Sequence, residues 1–171
     1  MYVAFDQLPP DARVWIYQAS RPLTAPELAA ARPQLARFAA DWTSHGRGLR
    51  ASVEFRHDQF LVFGLDEGAA GGASGCSIDA SVRFVAQLEA ALGVALLDKS
   101  RLAFGPAGRV HLVAHGALKA AVAAGTVAPT TPYFDNTLAT KGELEAHWPR
   151  PAGHTWLARY FGTGEQTRQP A

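Results

Sequence analysis

The chain predicts an α+β fold of ferredoxin-like type: a βαββαβ antiparallel sheet with two helices on one face, plus an extra strand and a C-terminal helical arm. Three observations predict it. Short apolar or alternating runs read as strands and two long stretches carry apolar residues at helical spacing, in the order strand, helix, strand, strand, helix, strand. The first of those helices opens on a complete capping signature. Gly-, Pro- and Asp-containing turn signals separate the runs.

The first element, Val14 to Gln18 (VWIYQ), is apolar or aromatic on both alternating faces, as a strand covered on both sides requires. Thr24 and Glu27 then have capping-box spacing, with Leu23 and Leu28 placed as a hydrophobic staple. Leu28, Ala31, Leu35, Phe38 and Trp42 share one helical face. Pro33 inside this pattern predicts a kink or a split, and Gly46 and Gly48 an end. Ala51, Val53, Phe55 and His57 alternate with Ser52, Glu54 and Arg56, the pattern of a half-buried strand. After the turn His57-Asp58-Gln59, Phe60 to Leu65 returns as a nearly continuous apolar strand interior to the sheet.

A second helix follows, with Ile78, Val82, Val85, Leu88 and Leu92 expected on its inner side and Gly93 as its stop. Leu35, Phe38, Trp42, Val53, Phe55, Val82 and Val85 are expected to share one core. Arg101 to Val113 reads as a further hairpin around Gly-Pro-Ala-Gly. The domain reading is an α+β core over 1–114, a helical and extended arm over 115–161 packed on it, and a polar tail over 162–171. Within the arm, Thr140 and Glu143 repeat the capping-box spacing, and Trp148, Trp156, Tyr160 and Phe161 are its anchors.

Composition narrows the function classes. Sixteen Lys+Arg against 15 Asp+Glu give a net charge of +1 with no basic run, so nucleic acid is not the expected partner. No apolar stretch reaches the roughly 20 residues that span a bilayer, and Met1 to Arg13 lacks the basic start and apolar run of a signal peptide. A single cysteine excludes an internal disulfide and suits a reducing cytoplasm, which is the expected location. The partner expected is a small molecule or another protein, and no cofactor is expected.

The stretch Gly68 to Gly75 is the place to look for a site, because eight tiny residues run into Cys76 and the second helix. Their missing side chains predict a close-approach turn with positive φ at some glycines, and Ser77 or Asp79 capping the helix. Ser74, Cys76, Ser77 and Asp79 are the candidate ligand-binding residues, and Cys76 is the candidate nucleophile. A helix start lowers a thiol's pKa, whereas a free cysteine is more often a small buried hydrophobe, and Asp79 offsets what the helix end does. Asp66, Glu67 and Asp79 are weak candidates for a metal site, if the sheet end brings them together; the plainer reading is solvated turn residues. The six histidines show no zinc-site spacing, and His57 or His111 are those considered for approach to Cys76.

The segments DARVWIYQA, DWTSHG, ASGCSIDASVRF and NTLATKGELEAHW resemble a family of bacterial proteins of unknown function, over residues 3–161. Some members carry the label "ABC transporter ATPase". The resemblance brings no catalytic residues, and the label does not fit this chain. A Walker A loop needs GxxxxGK followed by Ser or Thr, and GGASGCSID has neither the lysine nor the spacing. Between Gly64 and Ala80 there are three acids and no Lys or Arg, a poor setting for a triphosphate. The expected function is a non-catalytic α+β module binding a small ligand or a protein. The alternative is an enzyme with its site over 66–79, using Cys76 as nucleophile or the acids as a metal site.

Overall fold

The computed structural model describes residues 1–68 and 73–162. In chain order its elements begin with β1 (Arg13–Gln18), α1 (Ala25–Asp41), β2 (Thr43–Ser44), β3 (Arg47–Gly48), β4 (Arg50–Arg56), β5 (Phe60–Asp66) and α2 (Gly75–Leu92). They continue with β6 (Arg101–Phe104), β7 (His111–Ala114), α3 (Leu118–Ala123), β8 (Pro132–Tyr133), α4 (Lys141–His147) and β9 (Arg150–Pro151). Two compact units result: Met1–Lys99 with Asn136–His147, and Ser100–Asp135 with the chain from Trp148 on.

The first unit is built on a three-stranded antiparallel sheet in the order β1-β5-β4. Trp15 and Val53 both lie opposite Phe63, which fixes the register. Because side chains alternate along a strand, Tyr17, Leu61, Phe63, Leu65, Ala51 and Val53 fall on one face, and they share a core with Leu35 and Ala39 of α1 and Val85 and Leu88 of α2. Both long helices therefore lie on the same side of the sheet. On the opposite face Phe5 and Leu8 close over Gly64, where a Cβ would sit 2.5 Å from Leu8 Cδ1 and 2.9 Å from Phe5 Cε2. Glycine in the middle of this strand is a packing requirement.

A ferredoxin-like sheet would seat a fourth strand beside β1. Here β6 pairs with β7 and β8 in another sheet, of order β7-β6-β8-β9. The outer edge of β1 is met instead by the turn entering α4, where Val14 N donates to Ala139 O at 2.8 Å and Arg13 bridges to Thr140. That turn is held by the second capping box, in which the amide of Glu143 donates to Thr140 Oγ1 at 3.3 Å and the amide of Thr140 to Glu143 Oε2 at 3.1 Å. This segment takes up the Arg13–Val14 end of the edge at which a fourth strand would pair.

The first capping box forms as its spacing predicts: the amide of Thr24 donates to Glu27 Oε2 at 2.7 Å and that of Glu27 to Thr24 Oγ1 at 3.4 Å. Pro33 does not split α1, which runs unbroken from Ala25 to Asp41. Leu35, Trp42, Val53 and Val85 join one core, with Phe38 and Phe55 packed against it. Val82 does not, being 40% exposed. The inner face of α2 is turned to Ser77, Ser81, Val85 and Leu88. At Ser77 this face meets Trp42, whose Nε1 donates to Ser77 O at 2.9 Å. The buried hydroxyls are satisfied locally, Ser77 Oγ on Ser74 O at 2.8 Å and Ser81 Oγ on Ile78 O at 2.7 Å. Gly93 ends α2 in the left-handed region, with φ 61°.

The second unit has its own core, in which Phe104, Leu118, Val127, Tyr133, Ala152 and Leu157 are buried. The strands Arg101–Phe104 and His111–Ala114 pair as the expected hairpin, and this sheet also holds β8 and β9 from the stretch read as an arm. Among its aromatics, Trp148 stands edge-on to Phe134 at 5.0 Å, and Trp156 to Tyr133 at 6.3 Å. Among the described residues no helix is long and apolar enough to cross a membrane.

Candidate functional site

In the first unit a cleft of about 280 Å³ opens between the end of α1 and the first turns of α2. Its geometry follows from local sequence. Helix α1 stops at Asp41, Trp42 turns to an extended conformation, and Thr43–Ser44 pairs with Arg47–Gly48 as a tight hairpin. The two turn residues, His45 (φ 50°) and Gly46 (φ 76°), are both left-handed, as a two-residue type I′ turn demands. Phe38 and Trp42 form an apolar floor, Asp41, Thr43 and His45 one rim, and Ser74, Cys76 and Ala80 the other.

The floor is rigid. Phe38 stacks on Phe84 at 4.3 Å and meets Phe63 edge-on at 5.9 Å, and Trp42 packs against Trp15 at 6.0 Å. The bond from Trp42 to Ser77 O ties the end of α1 to the first turn of α2.

Of the four candidate binding residues, Ser74 and Cys76 line this cleft, whereas Ser77 and Asp79 do not. Ser74 rather than Ser77 or Asp79 is the N-cap of α2, accepting from the amide of Ser77 at 3.3 Å. Asp79 lies a turn further along, exposed, with no acidic residue in the first turn. Cys76 is the second residue of the helix and exposed, so it is not the buried small hydrophobe of the plainer reading. Its side chain follows from this placement, since the buried stripe of α2 passes through Ser77 and Ser81 and leaves position 76 outside.

The expected positive φ at some glycines of the loop can be read only at its two ends. Neither Gly68 nor Gly75 has positive φ, and a Cβ at Gly75 would meet nothing within 4 Å. Residues 69–72 of the expected close-approach turn lie outside the described residues. The acids at the sheet end do not assemble with Asp79. Asp66 pairs with Arg50 of β4 at 3.0 Å, while Glu67 pairs with Arg13 of β1 at 3.3 Å. The two arginines draw them to opposite neighbours of β5, and among the described residues no group of three or more His, Cys, Asp or Glu is placed to hold a metal ion. Arg13 and Arg50, distant in sequence, also offset the acidity that the local sequence implies.

Sequence reasoning missed Asp41, His45 and the two rings below them. The signal was present in DWTSHG, where His-Gly between short polar runs marks a hairpin turn and Trp follows the apolar stripe of α1. His57 and His111, the histidines considered for Cys76, do not line the cleft, and His45 does. Among the described residues no hydrogen bond or ion pair joins Cys76 to His45. The cleft thus offers a thiol, an imidazole, a carboxylate and two hydroxyls around an aromatic floor, and no assembled nucleophile-base pair. No family model, no curated protein and no solved structure matches this chain.

Proposed function

We propose that the first unit is a non-catalytic module that binds a small ligand in the cleft between α1 and α2. The observation that carries this reading is a cleft with a pinned aromatic floor and a polar rim, in which the rim side chains make no catalytic pairing. Ser74 and Cys76 are its contacts from the glycine-loop side, and Asp41, Thr43 and His45 those from the hairpin side. The near-even charge supports a partner other than nucleic acid, and the lone thiol supports a reducing, cytoplasmic setting. The order βαββα with sheet order β1-β5-β4 supports kinship of this unit with ferredoxin-like folds, short of the fourth strand. The resemblance to the bacterial family stands as part of the same proposal, without ATPase activity.

A second reading, a thiol enzyme, is favoured by one observation: the exposed Cys76 and His45 share a cleft. Alkylation of the folded protein across pH separates the two. The module reading expects an exposed thiol that reacts in the folded state at a rate His45→Ala does not change. A midpoint well below pH 7, shifted upward by His45→Ala, replaces the module with the enzyme. Calorimetry showing a one-to-one micromolar ATP complex would restore the ATPase label.

A further inference from the structure

We propose that the cleft takes a small ligand bearing an ammonium group, with a neutral or anionic opposite end; the proposal rests on reading the cleft as a ligand site. The charge pattern of its walls carries it. The final turn of a helix presents unsatisfied carbonyls equivalent to about half a negative charge, which chains ordinarily offset with Lys, Arg or His. Helix α1 has no basic residue in its last turn and ends on Asp41, so a full carboxylate is added to the negative end. No Lys or Arg lines the cleft, and its one basic side chain is the His45 imidazole on the hairpin rim, beyond the last turn of α1.

Arg37 is the nearest competitor for Asp41, at 3.8 Å, but the two side chains are 86% and 74% exposed, too solvated to hold each other firmly. The opposite wall is the first turn of α2, whose helix end is positive and carries no acidic residue. A second cation is therefore disfavoured there. Phe38, half-buried, supplies the apolar floor for the carbon skeleton, and Trp42, 3% exposed and enclosed by other rings, offers no open face for the cation. The volume of about 280 Å³ lies just below the range of pockets for drug-sized molecules, roughly 300–1,000 Å³. A compact amine fits.

The test is an amide NMR titration of the whole chain with butylamine, butyrate and 1,4-diaminobutane as probes. Butylamine is expected to shift the amides of Thr43, His45 and Cys76, and 1,4-diaminobutane to bind more weakly than butylamine. Asp41→Asn is expected to weaken butylamine by about fivefold, the upper end for a solvent-exposed ion pair. Arg37→Ala is expected to tighten it at low salt, by removing the competitor. Butyrate shifting these amides in preference to butylamine overturns the ammonium assignment and leaves the cleft a ligand site, as does an Asp41→Asn variant that binds butylamine unchanged. If no probe moves any cleft amide, both the assignment and the ligand-site reading fall.

Discussion

Replacing Gly64 by alanine tests the packing of Phe5 and Leu8 across the second face of the sheet. The added Cβ would lie 2.5 Å from Leu8 Cδ1 and 2.9 Å from Phe5 Cε2, where carbon–carbon contacts are optimal at about 3.5–4.0 Å. Leu8 would have to withdraw by about 1 Å, yet Leu8 is 2% and Phe5 4% exposed, so neither has open space to enter. Overpacking of this kind costs about 1–3 kcal/mol. Removing a glycine from the unfolded chain returns about 0.4–1 kcal/mol, so a net loss of about 1–2 kcal/mol is expected. Urea unfolding reads it as a lower midpoint at unchanged m. In a Leu8→Ala background the same change should cost less than half as much, because the Cβ then enters vacated volume. Gly75→Ala, where the Cβ meets nothing, is the control and should be neutral or slightly stabilising. The reasoning fails if Gly64→Ala is as harmless as the control, or if its cost in the Leu8→Ala background is the same to within about 0.5 kcal/mol.

Three further outcomes are expected. The Glu27 carboxyl is lowered to about 2, first by its hydrogen bond from Arg21 and then by the Thr24 amide; its contribution is full above the unfolded value of 4.5 and is lost as pH falls through about 2. Carboxyl-carbon NMR locates that midpoint, and Glu27→Gln should lower stability at neutral pH and flatten the acid dependence. Burial pushes the Tyr133 phenol up to about 12 from 10.0, so stability of the second unit is full below pH 10 and declines as pH rises toward 12; Tyr133→Phe should remove most of that alkaline slope in urea midpoints. Lys141, 6% exposed, donates to Leu8 O at 2.7 Å and Asp6 O at 2.9 Å, and Lys141→Met should cost about 2 kcal/mol or more by leaving two carbonyls without a charged donor. A midpoint within about 0.3 kcal/mol of the wild type would show that the ammonium does not anchor the N-terminal segment.

Local rules are the part of this protein that its sequence determines by itself. Thr24 with Glu27, and Thr140 with Glu143, each set a helix start within four residues, and both boxes form because donor and acceptor are neighbours along the chain. The alternation through Val53 and Phe55, the apolar run Phe60 to Leu65 and the stop at Gly93 likewise need no distant partner to be read. What faces what is a different matter. The periodicity of α2 favours Ile78 and Val82 as its inner side, but the packed helix buries Ser77 and Ser81, with the Ser77 carbonyl accepting from Trp42. That choice also places Cys76 on the outside.

Strand β6 pairs with β7 and β8, and the segment that meets the edge of β1 arrives from Ala139 and Thr140, far along the chain. Charge shows the same division. Asp66 and Glu67 form an acidic pair in sequence and a neutralised one in space, because β4 and β1 bring Arg50 and Arg13 to either side of β5. The candidate cleft is tertiary for the same reason: the end of α1, a two-residue turn and the start of α2 meet only once both helices have packed on one face of the sheet. Sequence fixes residue types and local hydrogen bonds; rotation of a helix, occupation of an edge and convergence of charges are settled by volume and by which backbone groups remain unpaired.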